Sequence, residues 1–207
     1  MAARLDALLA HPALWRGDAC ARVAPALPSG FAELDRVLPG GGWPQGALSE
    51  LLNEREGIGE FSLLAPALAH LTGGGRWVVF VSPPYIPYAP ALEQAGLDLA
   101  RLLLIRAASP QDRLWALEQA LRSDSCGAAL GWPDALDERV SRRLQLAAER
   151  GNTLGVLFAP ARARPHPSAA ALRLLLQPAG GRLTVHVLKR RGGSVAPLSL
   201  DLGRVLT

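Results

Sequence analysis

Cysteine is scarce in this chain, and only Cys20 and Cys126 occur among its 207 residues. Two cysteines so far apart in sequence indicate neither a disulfide framework nor a metal motif, so we expect reduced, structural thiols. The four histidines are equally scattered, and no two stand at metal-ligand spacing. The sequence therefore predicts no metal site, no cofactor and no catalytic residues.

Long apolar runs are also absent. No segment approaches the roughly 20 residues that a membrane helix needs. Near the N-terminus, Arg4, Asp6 and His11 interrupt the apolar core that a signal peptide would require. We therefore expect a cytoplasmic protein with no membrane partner. With 49% hydrophobic and 19% charged residues, the composition is globular and the chain is long enough for one sizeable core.

Lysine occurs once, at Lys189, among 22 basic residues, which indicates a general bias towards arginine. The net charge of +4 is unevenly distributed. Residues 1–138 have 10 arginines and 16 carboxylates, whereas residues 139–207 have 12 basic and 2 acidic side chains. This asymmetry favours an anionic partner such as nucleic acid for the C-terminal third, the alternative being an arginine-rich solvated surface.

Alternating apolar and amphipathic segments predict an α/β fold with a mostly parallel sheet flanked by helices. The predicted strands are near-continuous apolar runs, as expected when both faces are covered; they span 47–52, 76–82, 102–106, 126–131 and 154–159. The predicted helices span 60–72, 88–96, 110–123 and 135–150. In the last third, Gly-Gly turns at 180–181 and 192–193 separate alternating segments and predict antiparallel C-terminal strands.

The first 26 residues are predicted to form an N-terminal helix and arm, followed by a single domain over 27–207. Residues 4–10 have helical spacing, with one apolar stripe made of Leu5, Leu8 and Leu9. This arm has too few apolar residues to fold alone, so it packs on its own domain or docks on a partner. Trp15 is the predicted anchor in either case.

The stretch from residue 27 to residue 64 has the layout of a nucleotide-binding entrance: a strand, a Gly-containing turn and a helix opening near residue 61. A P-loop has the spacing G-x-x-x-x-G-K-[ST], and its backbone N–H groups and lysine hold the phosphates. Here Glu60 replaces the lysine and Phe61 replaces the magnesium-binding hydroxyl. Carboxylates outnumber arginines four to one between residues 50 and 60, and their field opposes a triphosphate. The degenerate loop, predicted not to bind ATP, comprises Asn53, Glu54, Gly57, Gly59, Glu60 and Phe61.

Several motifs carry a resemblance to known proteins. The run containing Ser29-Gly30, Leu34-Asp35, Gly40-Gly41-Gly42 and Gly46 is similar to the segment that leads into the Walker A loop of the RecA family. Residues 76–82 resemble that family's second strand. Within the superfamily, W-R-G, GGGWP, PPY-x-PYAP, RRLQLAAE and LKRRGG resemble the ImuA group of translesion-synthesis accessory proteins, also described as SulA-like.

The resemblance implies a RecA-like domain that lacks a functional Walker A/B site. The family's water-activating glutamate falls on or beside Pro84. Its Walker B aspartate falls on Gly131 or Trp132, with Asp134 two or three residues late. Phosphoryl transfer needs metal, lysine and a group that orients the attacking water. All three are missing, so the resemblance implies a protein that is not an enzyme.

The implied function is an accessory role in SOS-induced, error-prone translesion DNA synthesis. The partners implied by the resemblance are an ImuB-like inactive Y-family polymerase homologue, a DnaE-class error-prone polymerase, and RecA or DNA. One alternative is a SulA-like cell-division inhibitor that binds the tubulin-like protein FtsZ. Another is a divergent RecA-like ATPase that still turns over nucleotide.

Three segments supply candidate binding residues. Tyr85 and Tyr88 lie in a proline-stiffened loop beyond the second strand, where open α/β sheets place their ligand crevice. Exposed aromatics there would stack on bases or hold a partner chain. We expect instead that the loop fills the empty cleft with its own aromatics.

The second segment is basic. Lys189, Arg190 and Arg191 resemble a K-x-R-x-G hairpin of the hexameric helicase and circadian-clock branches of the family, and they are candidates to meet DNA or an acidic protein. A charged hairpin in solvent is the alternative. The helix over 135–150 adds Arg139, Arg143 and Arg150 on one flank, opposite a buried apolar stripe that contains Leu144 and Ala147. We expect Gly151 to cap the end of this helix.

The third segment is the C-terminal strand. Leu198, Leu200 and Leu202 alternate with polar residues, as in a half-buried edge strand. We predict that this strand and the N-terminal arm dock a protein partner, by packing or by strand addition.

Overall fold

The computed structural model describes residues 25–133 and 137–203. In chain order its helices and strands are β1 (Ala26–Leu27), α1 (Ala32–Val37), β2 (Trp43–Pro44), β3 (Ala47–Asn53), α2 (Ala65–Gly73), β4 (Trp77–Val81), α3 (Ala89–Gln94), β5 (Leu102–Ile105), α4 (Pro110–Arg122), β6 (Cys126–Gly131), α5 (Glu138–Gly151), β7 (Leu154–Pro160), β8 (Leu172–Ala179), β9 (Arg182–Lys189) and β10 (Leu198–Leu200). Among these helices, none is long and apolar enough to cross a membrane.

An eight-stranded sheet organises the fold, with the strand order β10-β9-β8-β3-β7-β6-β4-β5. The six strands from β8 to β5 are mutually parallel. Strands β9 and β10 extend the sheet in antiparallel pairing. The predicted α/β class, the mostly parallel sheet and the antiparallel C-terminal strands are therefore confirmed. A separate short ribbon of β1 and β2 was not predicted.

The sheet is covered on both faces because successive strand residues point to opposite sides. Val78 and Phe80 of β4 belong to a core cluster that also contains residues of α1, α2 and α3. Val79 and Val81 belong to a second cluster formed with α4 and α5. The near-continuous apolar strand sequences follow from this double coverage.

Local capping fixes the ends of the two longest helices. The Ser109 hydroxyl accepts the backbone N–H of Asp112 at the start of α4, and the Asp137 carboxylate accepts that of Val140 at the start of α5. Helix α5 ends at Asn152, which adopts the left-handed conformation with φ of 48°. We expected Gly151 as this cap, and that was wrong. A Cβ at Gly151 would lie 2.1 Å from the carbonyl oxygen of Leu121, so glycine serves close packing there.

One helix boundary also differs from the prediction. Helix α2 begins at Ala65, five residues later than expected, because residues 57–64 form a loop and turns. Elsewhere strand and helix ends differ from the predicted ones by about three residues or fewer. The predicted N-terminal helix, its docking residues Leu5, Leu8, Leu9 and Trp15, and Cys20 lie outside the described residues.

Candidate functional site

The loop after β3 is closed by its own carboxylate. Gly57 and Gly59 adopt φ of 75° and 100°, a region that glycine enters readily. The backbone N–H of Gly57 donates to Oε1 of Glu60 at 2.8 Å, and that of Ile58 donates to Oε2 at 2.9 Å. Consecutive backbone N–H groups of this kind form an anion-binding concavity. Here a side chain of the same loop fills it.

The position of Glu60 differs from the sequence expectation, in which it stood at a helix N-terminus. It lies five residues before α2 and braces the loop instead. At the start of the loop, the buried side chain of Asn53 donates to the carbonyl of Arg55 at 2.8 Å. Glu54, Arg55 and Glu56 are exposed between these two fixed points.

Aromatic side chains line the carboxyl ends of three neighbouring strands. Phe80 of β4 makes edge contacts with Phe61 (ring centroids 5.7 Å apart) and with Trp132 (6.2 Å). Trp132, directly after β6, stacks on Phe158 of β7 with centroids 4.7 Å apart. Trp132 is one of the two residues on which the resemblance placed the Walker B aspartate. The indole therefore packs at a position where the resemblance would require a metal-binding carboxylate.

Two adjoining hollows lie above this aromatic row. One, of about 420 Å³, is mostly apolar and is bounded by the loop after β3, the four aromatic residues and residues 83–92. The second, of about 630 Å³, continues towards Asn53, Arg113 and Arg162 and is more polar. Together they form a cleft at the edge of the sheet where open α/β folds bind ligands.

The loop over residues 83–88 frames this cleft without filling it. Tyr85, Ile86 and Tyr88 are 70%, 71% and 67% exposed. The expectation that the tyrosines fill the empty cleft is therefore wrong. The buried or half-buried residues Phe61, Phe80, Trp132 and Phe158 occupy its floor because they are carried by the strands or by turns next to them, whereas the prolines hold the loop outward.

Hydrogen bonding ties this loop to the one after β3. The Glu56 carboxylate raises the pKa of the Tyr85 hydroxyl, first through a side-chain hydrogen bond and then through its charge. At the other end, Ser82 has φ of 48°, unusual for a residue that is not glycine. Its hydroxyl accepts the backbone N–H of Ala107 at 3.1 Å. The Ser82 contact fixes the start of this segment, and three residues later the exposed Tyr85 interacts with Glu56.

Few of the residues that line the cleft could take part in catalysis. Pro84 stands where the resemblance placed the water-activating glutamate, and a proline side chain offers no base. Among the described residues, no group of three His, Cys, Asp or Glu side chains could hold a metal ion. The geometry is suited to binding an apolar group at a partly acidic rim.

The basic hairpin is largely engaged with the protein itself. Lys189 donates to the carbonyl of Ser168 at 2.8 Å. Arg190 donates to the carbonyls of Val37, Gly192 and Gly193. Arg191 is exposed, and it makes no hydrogen bond or ion pair with another described residue. Lys189 and Arg190 therefore hold the hairpin in place while keeping their positive charges, and Arg191 is the member of the three that has no such contact with a described residue.

The arginines of α5 also differ in their contacts. Arg143 forms an ion pair with Glu118 of α4 at 3.1 Å. Arg139 and Arg150 are exposed. Leu144 and Ala147 are buried, as the predicted apolar stripe required.

The C-terminal strand is an edge strand, as predicted: within residues 25–133 and 137–203, β10 pairs with β9 alone. Leu200 is 1% exposed, while Leu198 and Leu202 are partly buried against the same core cluster. Their side chains support the sheet, so an incoming partner would meet the strand's backbone rather than these three leucines.

Sequence reasoning missed two features, the aromatic row and a buried ion pair between β3 and β8. Nε of Arg173 lies 2.6 Å from the Glu50 carboxylate, and both side chains are at most 10% exposed. The sequence did contain a signal for the ion pair, because Glu50 and Arg173 each stand within an otherwise apolar strand sequence. The aromatic row had none, because its members come from four separate segments.

The family model described as cell division inhibitor SulA matches residues 46–155, from the strand before the loop to β7. The cell division inhibitor SulA of Serratia marcescens is 31% identical over 121 residues, covering 58% of this chain and 72% of that protein. The protein ImuA of Caulobacter vibrioides is 33% identical over 139 residues, covering 65% of this chain and 57% of that protein.

The SulA of Yersinia enterocolitica is 30% identical over 115 residues, covering 56% of this chain and 68% of that protein. The chain thus spans more than two thirds of these two SulA proteins and little more than half of ImuA. Because the family model matches more than half of the chain, and the Serratia protein is matched over most of its length, the chain belongs to the SulA family, with ImuA among its relatives.

Proposed function

We propose that this protein is a non-catalytic accessory of SOS-induced, error-prone translesion DNA synthesis that works by binding other proteins. The proposed core is RecA-like, and its nucleotide entrance has become a binding cleft. The proposed partner is an ImuB-like inactive Y-family polymerase homologue, with a DnaE-class error-prone polymerase, RecA or DNA as further components.

The bidentate contact of Glu60 with the backbone of Gly57 and Ile58 carries the non-catalytic part of this proposal. These two N–H groups are the donors that a loop of this shape would offer to a phosphate. The glutamate satisfies them and adds a negative charge at the same place. A triphosphate would have to displace this carboxylate without the help of a lysine, so binding is strongly disfavoured.

The similarity to ImuA supports the translesion role, since that match covers the larger share of this chain. The test is genetic. Deletion of the gene should lower the frequency of damage-induced mutations while leaving survival after mild damage nearly unchanged. Re-expression of the wild type should restore mutagenesis. Undiminished mutagenesis in the deletion strain would rule the role out.

A second candidate, the division inhibitor, is favoured by one observation, the match of the SulA family model over residues 46–155. The two candidates differ in what overproduction does. An inhibitor that binds FtsZ should produce filamentous cells without DNA damage, whereas a translesion accessory should leave cell length unchanged. Microscopy of cells that overproduce the protein therefore distinguishes them.

A further inference from the structure

The cleft above the aromatic row has packed aromatic side chains at its base and solvent-exposed side chains along one side, here called the wall. Phe61, Phe80, Trp132 and Phe158 form a continuous aromatic surface at its base. On the wall, Tyr85, Ile86 and Tyr88 each expose more than two thirds of their surface. Adjacent exposed apolar residues beside a hollow of about 420 Å³ are typical of an interaction site.

The conformation of the loop that forms this wall is restricted before any partner binds. Prolines at positions 83, 84, 87 and 90 limit the conformations of the loop. The side-chain contact between Tyr85 and Glu56 and the hydroxyl contact of Ser82 with Ala107 fix its start. A surface whose conformation is already restricted loses less entropy when a partner binds.

Charge indicates what kind of partner fits. The charged residues that line the apolar hollow are Glu56 and Glu60, and both are acidic. In the described part of the chain, neither forms an ion pair with an arginine or lysine. Their carboxylates are held by a tyrosine hydroxyl and by backbone N–H groups, which leave the negative charge uncompensated. The apolar hollow would therefore repel a nucleic-acid backbone and attract a cationic segment. The adjoining polar hollow, in contrast, is lined by Arg55, Arg113 and Arg162 as well as by carboxylates.

We propose that this cleft binds a short segment of a partner protein that carries an aromatic or leucine anchor with an arginine or lysine within about one helical turn. The anchor enters the hollow over Phe61 and Trp132, the partly buried members of the aromatic row. The basic residue meets Glu56 and packs on the exposed tyrosine rings. This proposal rests on the proposed function, because it names the surface through which the accessory protein holds its polymerase-like partner.

Binding of the full-length chain to the purified inactive Y-family polymerase homologue from the same genome tests the idea. Ile86→Ala combined with Tyr88→Ala should weaken binding at least about tenfold. The matched control is Trp115→Ala, since Trp115 is an aromatic residue of α4 that is 63% exposed outside the cleft. Because all three side chains are largely exposed, the variants should fold, which circular dichroism can verify.

Charge is tested separately with Glu56→Lys, against Glu33→Lys as a control of equal net charge on α1. Glu56→Lys should weaken binding several-fold at low salt, with a smaller effect at high salt, whereas Glu33→Lys should not. An array of overlapping 15-residue peptides from the homologue, probed with the wild type, should select peptides with an apolar anchor next to arginine or lysine. Peptides that bind without a basic residue would contradict the charge argument.

The outcomes separate the two proposals. If the wild type does not bind the homologue at all, the proposed function fails, and this inference fails with it. If the wild type binds and the cleft variants bind equally well, the docking surface lies elsewhere and only the inference is overturned. If the cleft variants instead lose affinity for a single-stranded oligonucleotide, the cleft is a nucleic-acid site and the protein partner is wrong.

Discussion

Arg173 and Glu50 are paired across neighbouring parallel strands, with the guanidinium Nε 2.6 Å from the carboxylate. The same carboxylate accepts the hydroxyl of Ser168. The remaining guanidinium nitrogens donate to the carbonyls of Ala163, Arg164 and His166. This ion pair therefore fixes the connection between β7 and β8 onto the sheet.

Replacing Arg173 should strongly destabilise the fold. Arg173→Met leaves the Glu50 carboxylate buried without its partner, and three carbonyls lose their donor. We expect a loss of about 3–5 kcal/mol in the free energy of unfolding. Urea unfolding followed by circular dichroism measures it. Arg182→Ala is the control, because its contacts with Ser199 and Asp201 are exposed and should contribute under about 1 kcal/mol. Equal losses in the two variants would contradict the structural role of the buried pair.

Magnesium-ATP should not bind the wild-type protein. The loop's backbone donors are occupied by Glu60, and the lysine and hydroxyl of a P-loop are missing. Calorimetric titration and a phosphate-release assay check this. Micromolar affinity, or phosphate release that Glu60→Ala abolishes, would establish a divergent ATPase instead.

Single-stranded DNA binding, if it uses the basic hairpin, should depend on Arg191 rather than on Arg190. Removal of one phosphate contact should reduce the log–log salt slope by about 0.7 for Arg191→Ala. Arg190→Ala should instead loosen the hairpin and lower the unfolding temperature, because it bridges to the carbonyl of Val37. Fluorescence anisotropy over a salt series measures the slopes, with Arg36→Ala on α1 as the control. An unchanged slope in Arg191→Ala would exclude Arg191 from DNA contact.

Cys126 should be unreactive in the folded protein. Burial raises the pKa of its thiol from 9.0 to about 12, outweighing the opposing effects of a backbone hydrogen bond with Ala128 and of the Arg76 charge. Because thiolate is the reactive form, a thiol reagent at pH 8 should label a Cys20→Ser variant only on unfolding. Rapid labelling of the native variant would contradict the burial of this side chain.

The same pKa shift has a consequence for stability. The unfolded chain ionises its thiol near pH 9, whereas the folded chain keeps the proton until about pH 12. The contribution of Cys126 is therefore fully present below pH 9 and is lost as the pH rises from 9 to 12. Unfolding free energies of Cys126→Ala and the wild type should converge over this range. A constant difference between them would contradict the shift.

The strands of the sheet could be predicted because double burial leaves a signature in the sequence itself. Residues 126–131 and 154–159 are apolar without alternation, and they form β6 and β7 almost as predicted. The start of α2 could not be predicted, because it depends on how the Glu60 side chain turns back on the loop. The cap of α5 was misplaced for a similar reason, since the backbone of Leu121 excludes a Cβ at Gly151.

In the candidate site, too, some features could be predicted from the sequence and others depended on tertiary contacts. The missing lysine and hydroxyl could be read directly, because a P-loop is a local motif with fixed spacing. The aromatic cleft could not, because Phe61, Phe80, Trp132 and Phe158 are brought together only by the order of β3, β4, β6 and β7 in the sheet. Sequence by itself determined the fold class, the absence of a P-loop lysine and hydroxyl from the loop after β3, and the uneven charge, since these depend on residue type and short-range spacing. Tertiary structure decided which described charged side chains form ion pairs, which aromatics face solvent and which aromatics line the cleft, since these depend on contacts between residues distant in the chain.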